Sequence, residues 1–586
     1  MEASNPTPNN ANNRVIVVGI DFGTTFSGIA WAETEGRGQQ VLVQEWPASR
    51  MNTGGIPSPK VPTQLRYLNN EHFEWGYQIP YDTQPQEILS LFKLGLEPNK
   101  FRSSIDAIGK TLNFENVDQK ITHYLTGLFD HFQEVIRGQI SKDVFQNIPV
   151  HFVLTVPAIW SEKAKQRTIE AFERVPNLPK DHLTTLLSEP EAAAIAALRE
   201  INHHDLKVND SFVIVDAGGG TVDLITYTIT SLYPVLEVVE ATEGTGDFCG
   251  SSRLNDRFIQ FLTSKFGSEE GWDEDVLHTA VEHFEARTKR FFNMNSLTQH
   301  EAFSIPVRGL LPNADLRINR RGHLSLRAEE LHMFFEPDIL RIIQLVKEQI
   351  TMANVPIRKI LLVGGYGSSM YLRERLQIAI QGDSSLQNDI EILQPPNSWT
   401  SVVSGAVMKG VSVVKPRNFD VPMVKARAGR KHYGYEFGVV FDSQKHESLR
   451  SERFYDDMNG SWRVLTMDWI IKRGDLVSED KPFQKTFYNY RPVSSGRPRK
   501  IIFHVFADEV SDSPPLTRND NVKVLCVVTA DLDHIPEDQL TKEAGVDKQM
   551  YYNLEFQVES IYRSASTEYT LIHKGRRYDT VAAEYV

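Results

Sequence analysis

Two stretches far apart in this chain repeat one design, and that repeat restricts its fold more than any other feature. In Phe212-Val-Ile-Val-Asp216-Ala-Gly218-Gly219-Gly220-Thr221-Val-Asp223-Leu-Ile-Thr-Tyr227, an apolar, β-branched run reaches an acid and breaks into three glycines. It then resumes as a second extended run. This pattern predicts a β-hairpin with a glycine tip. Near the N-terminus, Val15-Ile-Val-Val-Gly-Ile-Asp21-Phe-Gly23-Thr24-Thr25-Phe-Ser27-Gly28-Ile-Ala-Trp31 does the same, with Asp21 in the place of Asp216. A long-period internal repeat of this kind implies duplicated lobes.

Glycines without Cβ atoms let a turn close its N–H groups on an anion. Asp216, Thr221 and Asp223 offer hard oxygens around one tip and Asp21 around the other, which suits a hydrated Mg²⁺ bridging phosphates. Alone, either hairpin is equally well an ordinary tight turn; the pair argues for two anion sites gripping a polyphosphate from both sides. A third turn, Ile360-Leu-Leu-Val-Gly364-Gly365-Tyr-Gly367-Ser368, follows another apolar strand and leads into a helix from about Met370. Bare backbone and a helix N-terminus there favour a flat, anionic ligand.

These three motifs, in this order, resemble the actin-like ATPase superfamily and specifically the heat-shock 70 chaperones. Leu187-Ser-Glu189-Pro190-Glu-Ala-Ala-Ala-Ile-Ala-Ala-Leu198 resembles that family's connecting helix, and His151-Phe-Val-Leu-Thr155-Val156-Pro157-Ala158 its strand ending in a Thr-Val-Pro-Ala turn. The resemblance covers about residues 14 to 410. It implies an α/β fold of two duplicated lobes, followed by a β-rich domain resembling a peptide-binding β-sandwich.

The expected organisation is a disordered tail over 1–13, lobe I over 14–210, lobe II over 211–412, a linker over 413–432 and the β-rich domain over 433–586. Helices are expected over Phe92–Lys100, Asp118–Gln139 and Ser161–Arg174, and strands over Gly434–Phe441, Val464–Ile471, Lys500–Ala507 and Val522–Leu532. The pair His203 and His204 reads as a solvated turn, since no further ligand pattern stands nearby. Where the family has an apolar linker ending in an acid, this chain has Pro422, Lys425, Arg427, Arg430 and Lys431. Those charges are expected to stay solvated and to weaken coupling between the halves. No long helical region follows the β-rich pattern, so the family's helical lid is expected to be absent.

Composition narrows the class. A net charge of −13 argues against a binder of nucleic-acid backbones. Two distant cysteines, Cys249 and Cys526, suggest a reducing compartment with no disulfide framework. No apolar run approaches membrane-spanning length. The expected location is the cytoplasm, with the nucleus also open.

The resemblance implies ATP or ADP between the lobes. Gly23, Thr24, Thr25, Gly218, Gly219 and Gly220 would meet the phosphates, and Lys289, Arg290, Gly364 and Gly365 the adenosine. Asp21 and Asp216 would hold Mg²⁺ through water, and Asp223 a loop or a monovalent ion such as K⁺. Asp216, Thr221, Glu189 and Asp21 are the expected catalytic group. Two departures stand out. The family acid that pairs with the lysine falls on Ala286, with Glu285 one step off, and Pro80 replaces the family's catalytic lysine. Lys93 is read as a surface helix lysine rather than its substitute. Two functions follow: an ATP-driven, chaperone-like protein binding unfolded or extended polypeptide with co-chaperones, or a nucleotide-binding scaffold or signalling protein with negligible turnover. A sugar or acid kinase on the same fold is disfavoured by the added β-domain.

Overall fold

A computed structural model describes residues 14–35, 39–48, 55–69, 72–80, 82–98, 114–200, 206–386, 389–415, 421–533, 535–578 and 581–586. The N-terminal tail, the turn with His203 and His204, and part of the linker lie outside the described residues. The chain divides into two units, Met1–Met423 and Val424–Val586.

Two sheets of identical connection form the first unit. In one, β1 (Ile16–Asp21) turns back as β2 (Phe26–Glu33) and pairs in parallel with β3 (Val150–Val156). Between them in sequence lies α1 (Val117–Arg137), whose buried face includes Ile121, Leu125, Leu128, Phe129 and Phe132. After β3 come α2 (Glu162–Glu173), capped by the Ser161 side chain, and β4 (His182–Ser188), parallel to β3. The second sheet follows α3 (Glu189–Glu200) and repeats the scheme. There β5 (Ser211–Ala217) turns back as β6 (Val222–Ser231), and β5 is joined in parallel by β7 (Ile357–Val363), itself paired with β8 (Glu391–Leu393). The strands are buried on both faces and read as continuous apolar runs, as parallel sheets require. The duplication inferred from the two Asp-plus-glycine runs is therefore a duplication of topology.

The helix α4 (Ser401–Val414) crosses α3 at small residues. A Cβ at Gly405 would lie 1.7 Å from the Ala192 carbonyl, and one at Gly410 would lie 2.4 Å from Val17 Cγ1. The alanine run Ala192–Ala194 and Gly405 thus let the two helix backbones meet without side chains between them, while Gly410 lets α4 close on Val17 of β1. Further along, Phe92–Leu96 is a short 3₁₀ segment, not a surface helix.

In the second unit two antiparallel sheets face each other. One contains β9 (His432–Val440), β10 (Ser461–Ile471), β11 (Lys500–Asp508) and β12 (Lys523–Asp531). The other contains Phe483–Pro492, Met550–Tyr562 and Thr567–His573. Their shared core includes Tyr435, Phe503, Val505 and Val528 from the first and Phe487, Phe556, Val558 and Leu571 from the second, with Phe487 and Phe556 stacked at 5.3 Å. Among the described residues no α-helix follows Val414. Arg427 corrects the expectation of solvated linker charges: it is buried, and its guanidinium lies 2.6 Å from Glu479 Oε1. A buried cation needs such a partner, and Glu479, far along the sequence, supplies it.

The α3–α4 crossing yields a direct test. Gly405→Ala forces a methyl into the Ala192 backbone and is expected to cost about 2 kcal/mol of stability. Urea unfolding followed by circular dichroism should show the lowered midpoint; an unchanged midpoint would contradict the close crossing.

Candidate functional site

The two hairpin tips touch. An added Cβ at Gly219 would lie 1.9 Å from Thr25 Oγ1, and one at Gly220 would lie 2.7 Å from Thr24 Cγ2. Only glycine allows this approach, so Gly219 and Gly220 are constrained first by the opposing hairpin. Each tip has its carbonyls tied from behind. Thr63 donates through Oγ1 to Gly23 O at 2.8 Å and through its amide to Thr25 O at 2.8 Å. The amides of Ser251, Ser252 and Gly250 meet the carbonyls of Gly218, Gly219 and Gly220 at 3.2, 2.9 and 3.1 Å. Satisfying the carbonyls in this way leaves the turn amides as the groups for an anion.

The third turn buttresses the second hairpin. Gly364 has φ +83°, and a Cβ there would lie 2.5 Å from Asp216 Oδ1. The amides of Tyr366 and Gly367 both donate to Ala217 O. Gly365 faces Trp399, whose ring lies 5.6 Å from the Arg290 guanidinium and 5.8 Å from the Phe26 ring. Neither Trp399 nor Phe26 was singled out by the sequence.

Around the tips the carboxylates of Asp21, Glu189, Asp216 and Asp223 influence one another. Asp216 and Asp223 are cross-strand partners in one hairpin. Like charges so placed oppose folding, which marks a site held for something other than stability. Burial pushes the Asp216 carboxyl well above its usual range, and Glu189, Asp223 and Asp21 push it further. Burial likewise raises Glu189, against the pull of Lys93, with Asp21 and Asp223 adding to the rise.

Lys93 overturns its surface reading. It is fully buried, donates to Glu189 Oε1 at 2.9 Å and also to Phe22 O, and sits 4.8 Å from the Trp160 ring centroid. The residue that starts its 3₁₀ turn, Leu91, is left-handed at φ 57°. A non-glycine residue bears roughly 1–2 kcal/mol there, a strain typical of functional segments. Pro80, where the cation was sought, only closes a turn with Thr83. A single lysine within Phe92-Lys-Leu-Gly-Leu96 was the available signal, since a cation in an apolar run is either exposed or functional. A second lysine went unnoticed altogether: Lys60 Nζ lies 2.6 Å from Asp21 Oδ2.

The adenosine clamp also differs from its expected register. A single π-turn, Phe284–Thr288, absorbs one extra residue. Glu285 reaches Lys289, which also donates to Asn255 Oδ1 at 3.2 Å and Ser251 O at 3.4 Å. Although burial opposes it, Lys289 and Asn255 hold the Glu285 carboxyl below its usual range.

Four acids against two ammoniums leave an excess of negative charge that a divalent cation fits. Among the described residues no three acidic, His or Cys side chains converge to hold a metal directly.

The sequence model of the family described as Hsp70 protein matches residues 126–382. That stretch matches the heat-shock 70 family, and the chain is similar to members of that family at about a quarter identity. It is 24% identical to heat shock 70 kDa protein 12A of Mus musculus, over 84% of this chain and 82% of that protein. Heat shock 70 kDa protein 12B of Homo sapiens is 23% identical, over 67% of this chain and 68% of that protein. Chaperone protein DnaK of Mycoplasmoides gallisepticum is 24% identical, over 61% of this chain and 54% of that protein. Among the described residues no helix is long and apolar enough to cross a membrane. The similarity and the fold make the chain a nucleotide-binding, heat-shock-70-like protein of actin-like ATPase fold.

The contact between tips predicts the effect of a side chain at Gly219. Gly219→Val should force Thr25 and the opposing hairpin away and weaken ATP binding by at least about a hundredfold, with the fold retained. Calorimetric titration checks this; unchanged affinity in a folded variant would contradict the two-hairpin site.

Proposed function

We propose that this heat-shock-70-like protein binds ATP between its lobes and hydrolyses it slowly, with a C-terminal sandwich that takes extended polypeptide. The observation that carries the catalytic part is the buried Lys93, held against Glu189 beside Asp21. It supplies the cation that Pro80 removes from its expected place. Phosphoryl transfer rests on positioning and charge stabilisation rather than covalent chemistry.

In this reading the amides of Gly23–Thr25 and Gly219–Thr221 bind the phosphates, that of Gly218 being taken by Thr221 O at 3.0 Å, while Lys289 and Arg290 flank the adenosine. Mg²⁺, when bound, neutralises charge that develops on the phosphate oxygens. Asp216 orients the metal's waters. Thr221 and Glu189 align the attacking water, and the raised affinity of Glu189 for a proton suits it to accept one as the water attacks. Lys93 stabilises the transferred group. Asp223, which accepts from the Ile159 amide at 3.4 Å, holds the loop or a monovalent ion.

The chaperone part is supported by the sandwich of the second unit and by the relatives named as chaperones. With Arg427 in place of the family's acidic linker residue, peptide exchange should be little dependent on ATP. The cytoplasm is the proposed location. One observation favours the scaffold alternative: Asp21 is already ion-paired with Lys60, which takes one acid out of the catalytic group.

Single-turnover ATP hydrolysis, with and without an unfolded polypeptide, tests the proposal. Lys93→Ala should slow turnover by about a hundredfold, the usual effect of losing one stabiliser of transition-state charge. ATP affinity should fall by less than about tenfold. Equal rates in the variant and wild type would contradict the role of Lys93. ATP binding with no measurable turnover in wild type would favour the scaffold.

A further inference from the structure

Lys60 stands in Pro59-Lys60-Val61-Pro62, a stretch that no motif singles out. The fold nonetheless buries it, leaving 6% exposed, with its Nζ on Asp21 Oδ2. Its position is built rather than incidental. Ser58 Oγ donates to the Lys60 carbonyl at 2.7 Å, the Tyr77 hydroxyl donates to the same carbonyl at 3.4 Å, and the next residue, Val61, pairs with Ser27 on β2. The other Asp21 oxygen accepts from Thr155 Oγ1 at 3.4 Å.

The lysine stem runs across Gly28, where an added Cβ would lie 3.3 Å from Lys60 Cγ. Gly28 is the cross-strand partner of Asp21. In the second hairpin the matching pair is Asp216 with Asp223. One copy of the repeat therefore sets acid against acid, and the other sets acid against an ammonium that glycine admits. Such a cation in a water-poor cleft acts on every nearby charge, and it already pulls down the Asp216 carboxyl.

We infer that Lys60 is a cation built into the phosphate site, keeping Asp21 from a bound metal's waters and making nucleotide binding less dependent on Mg²⁺ than the four acids alone would make it. Without Lys60, four carboxylates would face Lys93 alone, and a polyphosphate could enter only with a divalent cation. With Lys60 in place, part of that charge is permanently supplied. Asp216 then remains the acid that faces the metal. The inference rests on the ATP reading above and concerns affinity rather than turnover.

The test is calorimetric titration of the full chain with ATP, in Mg²⁺ and in a chelator. Chelation should weaken binding to Lys60→Met by at least about tenfold more than it weakens binding to wild type or to Lys60→Arg, because the variant must recover the missing charge from the metal. Thermal melting by circular dichroism checks that each variant is folded. If Lys60→Met fails to fold with Asp21 left unpaired, the double variant Asp21→Asn/Lys60→Met removes both charges, leaves the net charge of the site as in wild type and should keep the wild-type Mg²⁺ dependence; a strongly increased dependence there would overturn the inference. Equal dependence in wild type and in folded Lys60→Met would overturn the inference while leaving the ATP reading intact. Absence of ATP binding to wild type in both conditions would overturn that reading and this inference with it.

Discussion

A carboxylate buried without a cation is costly, because the protein interior cannot solvate it as water does. This chain gathers four of them, Asp21, Glu189, Asp216 and Asp223, at the meeting point of two lobes. Much of the first unit can be understood as the framework that this charge requires. Two hairpins deliver three of the acids, and the start of α3 delivers Glu189. Lys60 and Lys93 meet them as buried ammoniums, Lys60 positioned through its backbone carbonyl and Lys93 by the Phe22 carbonyl and the Trp160 ring. The remaining negative charge is what a hydrated divalent cation with its phosphates would satisfy.

Duplication built the frame, and divergence between the copies tuned it. Both sheets join a parallel series to an antiparallel hairpin, and both hairpins have their carbonyls secured by a partner segment. The segments differ: Thr63 serves the first hairpin and Gly250–Ser252 the second. The residue opposite the acid differs as well, Gly28 against Asp223. The glycine leaves room for a lysine stem, so a change in side-chain volume becomes a change in the charge of the site.

The parts of this architecture carried by local pattern were legible in the sequence. Apolar runs ending in Asp and glycine marked β1 and β5, and a regular apolar face marked α1 within two residues at each end. The alternating C-terminal strands were visible for the same reason. Lys93 was misread because its burial depends on the left-handed Leu91 and on Phe22 and Trp160, which are distant in sequence. Lys60 was missed because only tertiary packing against Gly28 brings it to Asp21. The acid Glu285 looked misplaced because it stands four residues before Lys289 rather than three, yet that spacing still brings the two side chains together, here across a π-turn. Arg427 looked solvated because its partner, Glu479, lies on a distant segment. In each case the pattern of one segment was readable and its long-range electrostatic partner was not.

On this reading the buried charge cluster between the hairpins is a nucleotide-phosphate site in which Lys93 is the cation for the terminal phosphate. A crystal structure of the chain with a non-hydrolysable ATP analogue and Mg²⁺ tests it most directly. The account predicts phosphates on the amides of Gly23–Thr25 and Gly219–Thr221, with Lys93 Nζ turned from Glu189 to the terminal phosphate. An analogue bound elsewhere, or Lys93 still paired with Glu189 while the phosphates occupy the tips, would contradict it.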